Sequence, residues 1–293
     1  MAGRGYGVDL GGTAIKAGAV EGGHVLTRDE RETPHEFEAC MDAIAASVLH
    51  VAGESGAPAR VGLGLPGVVS PRDGRIAYAP NLGFLESRPT ADALRERLGG
   101  AEVLLENDAN VAALGEARHG AGRAHPDFLL ATLGTGIGGG IVLGGELFRG
   151  PGGMAAEFGH IPVGHERLCG CGARGCLEAA VSARSLVEWA REEGLPAASL
   201  PDLADMARRN DKQAASLFRR AGALLGEACA QVALLLDLRV FLIGGGGAPV
   251  LYLLRPAALQ VLAARAFGRD ASDFTLDRAL LGNDAGLIGA STL

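Results

Sequence analysis

YGVDLGGTAIKAGAV, running from Tyr6 to Val20, is the stretch on which the fold turns. Two apolar runs, Tyr6–Leu10 and Ala14–Val20, flank a Gly11-Gly12 turn, and a third, His24–Arg28, follows Gly22-Gly23. Short runs parted by glycine pairs predict a meander of three strands. Apolar residues at Phe37, Met41, Ile44, Ala45 and Val48 recur at helical spacing and predict a helix over Glu36–Val51. Strand Arg60–Leu65, helix Thr90–Leu98, strand Glu102–Glu106 and a helix from about Ala109 to Arg118 follow. Three strands, a helix, then alternation is an α/β order.

The second half restarts that pattern. Phe128–Leu133, Gly139–Leu143 and Glu146–Phe148 again read as three short strands with glycine turns, and a shift of 123 residues lays Leu10-Gly11 on Leu133-Gly134. Helices are expected over Ala183–Glu193, Leu200–Arg208 and Lys212–Asp237. A strand at Arg239–Ile243, a helix after Pro249 and a terminal helix over Ala285–Ala290 complete the order. The expectation is an α/β protein of two related lobes with ligand between them. The lobes are residues 1–118 with the C-terminal helix, about 282–293, and residues 119–281.

Composition excludes several classes. The 293 residues include 46 glycines, 48% are apolar, and the glycines cluster with no G-X-Y period, so neither disorder nor collagen fits. The net charge is −7, from 27 basic and 34 acidic residues spread along the chain, and no basic patch marks a nucleic-acid partner. Two uncharged windows, Phe128–Gly145 and Val240–Leu254, are short and rich in glycine, unlike a membrane span. No export signal precedes Asp9, so a soluble, cytoplasmic protein without membrane partners is expected.

Three glycine loops suit phosphates. Asp9-Leu10-Gly11-Gly12-Thr13 sits at a strand-turn-strand, where glycines let backbone N–H groups approach a phosphate. Thr13 adds a hydroxyl, and Asp9 can hold Mg²⁺ directly or through water; a plain hairpin with an incidental acid is the alternative. The second loop runs Leu133 to Gly140, LGTGIGGG, and its G-x-G-x-x-G continues into a strand, so the dinucleotide reading fails its context. Neither Lys16 nor Lys212, the only lysines, follows a glycine, which excludes a P-loop. The third loop, Gly244–Gly247, follows a strand and precedes a helix, a place for a nucleotide.

Glu106-Asn107-Asp108-Ala109-Asn110 ends a strand and opens a helix. Asp108 reads as the N-cap of that helix and, compatibly with that, as the general base that phosphoryl transfer needs. Downstream, His160 precedes Cys169, Cys171 and Cys176, which are interleaved with glycines. Three thiolates and a histidine suit a closed tetrahedral zinc site, with His165 as a rival fourth ligand and disulfides or unligated thiols as the alternatives. Glu157 and Glu178 bracket the cluster and can accept hydrogen bonds from the vicinal hydroxyls of a sugar.

DLGGTAIK at 9–16, GLPG at 64–67, ENDAN at 106–110, LGTGIGGG at 133–140, EFGH at 157–160 and CGCGARGCLE at 169–178 together resemble the ROK family. These are bacterial sugar kinases with an actin and hexokinase type of fold, which is ribonuclease H-like. The resemblance implies that Asp108 is the catalytic base and that Gly67, Asn81, Asn107, Glu157, His160 and Glu178 contact the sugar. It gives His160 one ring nitrogen on zinc and the other toward the sugar. Gly11, Gly12, Thr13, Gly134, Thr135 and Gly136 then hold the phosphates of ATP, beside Asp9 and Lys16, with Gly245 and Gly246 on the adenosine side. The activity implied is transfer from Mg-ATP to the 6-hydroxyl of glucose, with another hexose or a non-catalytic sugar sensor as alternatives. A homodimer or larger assembly is implied too. Ala156 departs from the pattern, since many members have glycine there. The first glycine loop begins at residue 9, so the DNA-binding segment of the family's repressors is not expected.

Overall fold

The computed structural model describes residues 3–293. The chain packs as two compact units, one of Met1–Pro126, Gly140–Ala155 and Asn283–Leu293, the other of Asp127–Gly139 and Ala156–Gly282. Among the described residues, no helix is long and apolar enough to cross a membrane.

The first sheet contains β1 (Gly5–Leu10), β2 (Ala14–Glu21), β3 (His24–Glu32), β4 (Arg60–Leu65) and, after the small hairpin β5 (Val68–Val69) and β6 (Ile76–Tyr78), β7 (Glu102–Asn107). Its order is β3-β2-β1-β4-β7, with β1 antiparallel to β2 and parallel to β4. The glycine pairs force the two hairpins, and the register sets Asp9 opposite Lys16. Apolar side chains of β1, β2 and β4, such as Val8, Ile15 and Leu63, bury against Phe37, Met41, Ile44 and Val48 of α1 (Phe37–Ala52) and Leu94 of α2 (Thr90–Arg97). In the same unit, α3 (Asp108–His119) packs on the last helix, Ala285–Ala290. A side chain at Gly289 would sit 1.6 Å from the Val111 carbonyl oxygen, so only glycine permits this crossing.

The second sheet contains β8 (Phe128–Leu133), β9 (Ile137–Leu143), β10 (Glu146–Phe148), β11 (Val240–Gly244) and β12 (Thr275–Arg278). Its order, β10-β9-β8-β11-β12, repeats the first strand for strand, with β11 parallel to both β8 and β12. The repeat suggested by the glycine turns is therefore present at the level of topology. Helices α4 (Glu178–Val181), α5 (Ala183–Glu192), α6 (Leu200–Arg208) and α7 (Lys212–Leu236) lie between β8–β10 and β11 in the chain. α8 (Leu251–Arg265) packs along α7, and α9 is the terminal helix Ala285–Ala290.

Four elements escaped the sequence pattern. β5 and β6 are two and three residues long, too short to show a period. β12 is a sheet-edge strand whose sequence TLDR buries only Leu276. α4 is a single turn directly behind the cysteine segment.

Candidate functional site

In the first unit the Gly11-Gly12 turn is closed by the Gly11 N–H on the Ala14 carbonyl at 2.9 Å. Thr33 fixes it from outside: its hydroxyl donates to the Gly11 carbonyl at 2.8 Å and its N–H to the Thr13 carbonyl at 3.1 Å. Thr13 is exposed at this turn. A side chain at Gly12 would touch Asn81 Cβ at 3.5 Å, so the structure brings Asn81 beside the first glycine loop. Burial pushes the Asp9 carboxyl above its ordinary value, and Lys16 on the paired strand pulls it part of the way back. An acid kept short of solvent in this way gains from a cation beside it.

The β7–α3 junction is built by Asn107. Its Oδ1 accepts from the N–H groups of Ala109 at 2.9 Å and Asn110 at 3.1 Å, so Asn107 is the N-cap of α3. The capping role that the sequence allowed for Asp108 falls instead to its neighbour, because the chain turns one residue earlier. The other end of the same amide donates from Nδ2 to the Gly67 carbonyl at 2.9 Å. Gly67 has φ +141°, and a side chain there would lie 2.3 Å from the Tyr78 carbonyl oxygen. Asp108 is the first residue of α3, half-buried, with Oδ1 accepting from the Ala109 N–H at 2.8 Å. The N-terminus of a helix is the positive end of its dipole, a favourable place for an acidic side chain.

Sequence reasoning missed one residue here. Arg149, just after β10, donates from Nε to Glu106 Oε2 at 2.5 Å, directly behind Asn107 and Asp108. The separation of 43 residues leaves no local signal.

In the second unit the loop Gly134-Thr135-Gly136 is closed by the Gly134 N–H on the Gly136 carbonyl at 2.9 Å, and Thr135 is exposed on it. Glu178 Oε2 accepts from the Ile137 N–H at 2.8 Å, and a side chain at Gly136 would meet that oxygen at 2.4 Å. The third loop joins the second: the Gly247 N–H donates to the Leu133 carbonyl at 2.8 Å, and Gly245 turns at φ +75° against the same carbonyl. Gly246 faces open space and lines a cavity of about 220 Å³ with Leu200, Pro201, Ala204 and Tyr252. The second and third glycine loops thus form one continuous surface.

EFGH forms a single 3₁₀ turn in which the His160 N–H donates to the Glu157 carbonyl at 3.0 Å. Ala156, immediately before it, holds φ +68°, a left-handed conformation that strains any residue with a Cβ. The four atoms offered by His160, Cys169, Cys171 and Cys176 lie within 4.8 Å of one another. Cys169 Sγ is 3.8 Å from His160 Nδ1, and Cys171 Sγ is 3.7 Å from Cys176 Sγ. Metal–sulfur bonds of about 2.3 Å in a tetrahedron set sulfurs about 3.8 Å apart, so the donor set fits zinc. Burial and the two neighbouring thiols push the Cys176 thiol up to about 12, a crowding that a central dication would relieve.

His165 is not in this cluster. Its Nδ1 accepts from the Arg167 N–H at 3.1 Å and its Nε2 faces the Cys176 carbonyl at 3.0 Å, so both nitrogens are committed to the backbone of the loop. Glu178 links the cluster to the second glycine loop, since Cys169 Sγ donates to its Oε1 at 3.7 Å while its Oε2 holds Ile137.

Comparison with known proteins gives this arrangement relatives. The chain is 37% identical to the glucokinase of Streptomyces coelicolor, across 98% of this chain and 96% of that protein. It is 34% identical to the N-acetyl-D-glucosamine kinase of Salmonella paratyphi C, across 82% of this chain and 83% of that one. The crystal structure of a ROK family glucokinase from Streptomyces griseus in complex with glucose and AMPPNP superposes with a TM-score of 0.83 at 36% identity, covering 99% of this chain and 98% of that one. Its fold is therefore of the actin and hexokinase type. With the model of the ROK family matching residues 5–293, and relatives that align nearly end to end, the chain belongs to the ROK family.

Proposed function

We propose that this protein is an ATP-dependent kinase that phosphorylates the 6-hydroxyl of glucose, giving glucose 6-phosphate and ADP. The observation that carries the reading is the division of labour at the β7–α3 junction. Asn107 caps the helix and holds Gly67, while Asp108 stands at the positive end of α3 as the acid. In the reaction the Asp108 carboxylate orients the sugar hydroxyl and accepts its proton as the O6–phosphorus bond forms. The bond from the γ-phosphorus to the bridging oxygen breaks, and ADP leaves with that electron pair.

Gly67, Asn81, Asn107, Glu157, His160 and Glu178 are assigned to the sugar. Gly11, Gly12, Thr13, Lys16, Gly134, Thr135 and Gly136 are assigned to the phosphates, and Gly245 and Gly246 to the adenosine. Asp9 would hold Mg²⁺, which when bound neutralises charge on the phosphates. His160, Cys169, Cys171 and Cys176 would hold a structural zinc that fixes the loop carrying Glu178 and orients the His160 ring. A cytoplasmic homodimer or larger homo-oligomer is the assembly we assign.

The test is sugar-dependent ADP release over glucose, mannose, fructose, N-acetylglucosamine and N-acetylmannosamine. Glucose should give the highest kcat/KM. The N-acetylglucosamine kinase among the relatives supports a second reading, which a preference for that sugar would establish. Asp108→Asn should retain glucose binding and lose at least about 100-fold in kcat. Near-normal turnover in that variant would remove Asp108 from the role of base.

A further inference from the structure

Glu106 is a buried carboxylate, 6% exposed, at the last turn of β7 before Asn107 and Asp108. A carboxylate taken from water needs full compensation by donors. Three converge on it. Oε1 accepts from the Asn107 N–H and from Asn110 Nδ2, each at 3.0 Å, and Oε2 accepts from Arg149 Nε at 2.5 Å. Asn110 is committed to Glu106 at a cost, because its Oδ1 is buried without a hydrogen-bond partner. Arg149 in turn is held by its own loop. The Ala155 N–H donates to the Arg149 carbonyl at 3.1 Å, and a side chain at Gly153 would lie 2.4 Å from the Val69 carbonyl oxygen, so the loop is seated on β5.

A buried charge network of this kind contributes little stability that apolar packing could not supply. What it does supply is position. Both bonds that Glu106 accepts from this junction come from residues within two positions of Asp108, Asn107 before it and Asn110 after it. We propose that Arg149 and Glu106 are positioning residues, a clamp that fixes the Asn107–Asp108 junction for proton abstraction from the sugar hydroxyl. This rests on the kinase reading above and adds two residues that never touch substrate. Arg149 supplies the charged donor that holds the Glu106 side chain in place; Glu106 supplies the fixed acceptor against which Asn107 and Asn110 are held.

Arg149 is the side to perturb, because its side chain is 44% exposed and its removal opens a wet rim without emptying the core. Arg149→Ala should lower kcat by about 10- to 100-fold, the scale of a small misplacement of a catalytic group. KM for ATP should stay within about twofold, since ATP loses no contact, and the fall in kcat should exceed any rise in KM for glucose, which meets Asn107 at the clamped junction. Arg149→Lys should recover part of the loss, being charged but without the planar fork. Added guanidinium ion should raise the turnover of Arg149→Ala and leave the wild type unchanged.

Hydrogen exchange of the 105–112 segment, measured without substrate, should be faster in Arg149→Ala, a readout that needs no activity. Unchanged kcat with unchanged exchange overturns the clamp. So does a loss confined to KM, or a loss that guanidinium does not rescue and that tracks a fall in melting temperature. If the wild type releases no ADP with any hexose, the kinase reading fails, while the exchange comparison still decides the clamp.

Discussion

Asn107 does two jobs with one side chain, and the jobs can be separated by substitution. Asn107→Ala removes the acceptor for the Ala109 and Asn110 N–H groups and the donor to the Gly67 carbonyl. Loss of an N-cap costs about 1 kcal/mol. Leaving the Gly67 carbonyl without its partner costs about 1 kcal/mol more. The sum, about 2 kcal/mol, corresponds to a fall in Tm of about 4 °C for a chain of this size. Asn107→Asp keeps the cap acceptor and places a charge that α3 favours at its N-terminus, but it cannot donate to Gly67. It should therefore lose only the second contribution, about 1 kcal/mol. Thermal melts in the absence of ligand read both values. The order wild type, Asn107→Asp, Asn107→Ala is the expected result. Equal destabilisation of the two variants would refute the cap, and a wild-type Tm in Asn107→Asp would refute the bond to Gly67.

Three other outcomes are expected. Burial raises the Asp9 carboxyl, so between the ordinary aspartate value and that raised value the folded state holds a proton that the unfolded state has released. Stability from this group is present at low pH and is lost as pH rises through the folded value. Asp9→Asn should thus melt above the wild type at pH 7, by a margin that shrinks toward pH 4, and a margin independent of pH would contradict it. Ala156→Gly relieves a left-handed alanine worth about 1–2 kcal/mol and gives back about 0.4–1 kcal/mol in unfolded-state entropy. A Tm rise of about 1–2 °C is expected, and a fall would show that the strain is compensated elsewhere. For the metal, elemental analysis should find one zinc per chain in the wild type and in His165→Ala, and loss in His160→Ala; zinc retained in a Cys169, Cys171 and Cys176 triple serine variant would refute the site.

Much of the fold is legible because its signals are local. The glycine pairs at 11–12 and 22–23 end strands that alternate or run apolar, and helices such as Leu200–Arg208 show their period within a dozen residues. β12 was not legible, because an edge strand with one buried residue carries almost no pattern. The candidate site was legible where a motif concentrates its chemistry, as in EFGH and the cysteine run. Arg149 was not, nor was Thr33, whose hydroxyl bond to the Gly11 carbonyl spans 22 residues.

The sequence by itself determined the α/β order, the doubled strand-turn-strand pattern, the three glycine loops and the clustering of three cysteines behind a histidine. Each follows from residue type and short-range spacing. The tertiary structure decided between residues that the sequence left equal. Asn107 caps α3, and Asp108 does not, because the chain enters the helix at Asp108, and the Asn107 amide that caps it is fixed by donation to the Gly67 carbonyl 40 residues away. His160 joins the cysteines, and His165 does not, because both nitrogens of His165 face backbone groups of the loop. Hydrogen-bond partners distant in sequence make these choices, and only the folded chain brings them within reach.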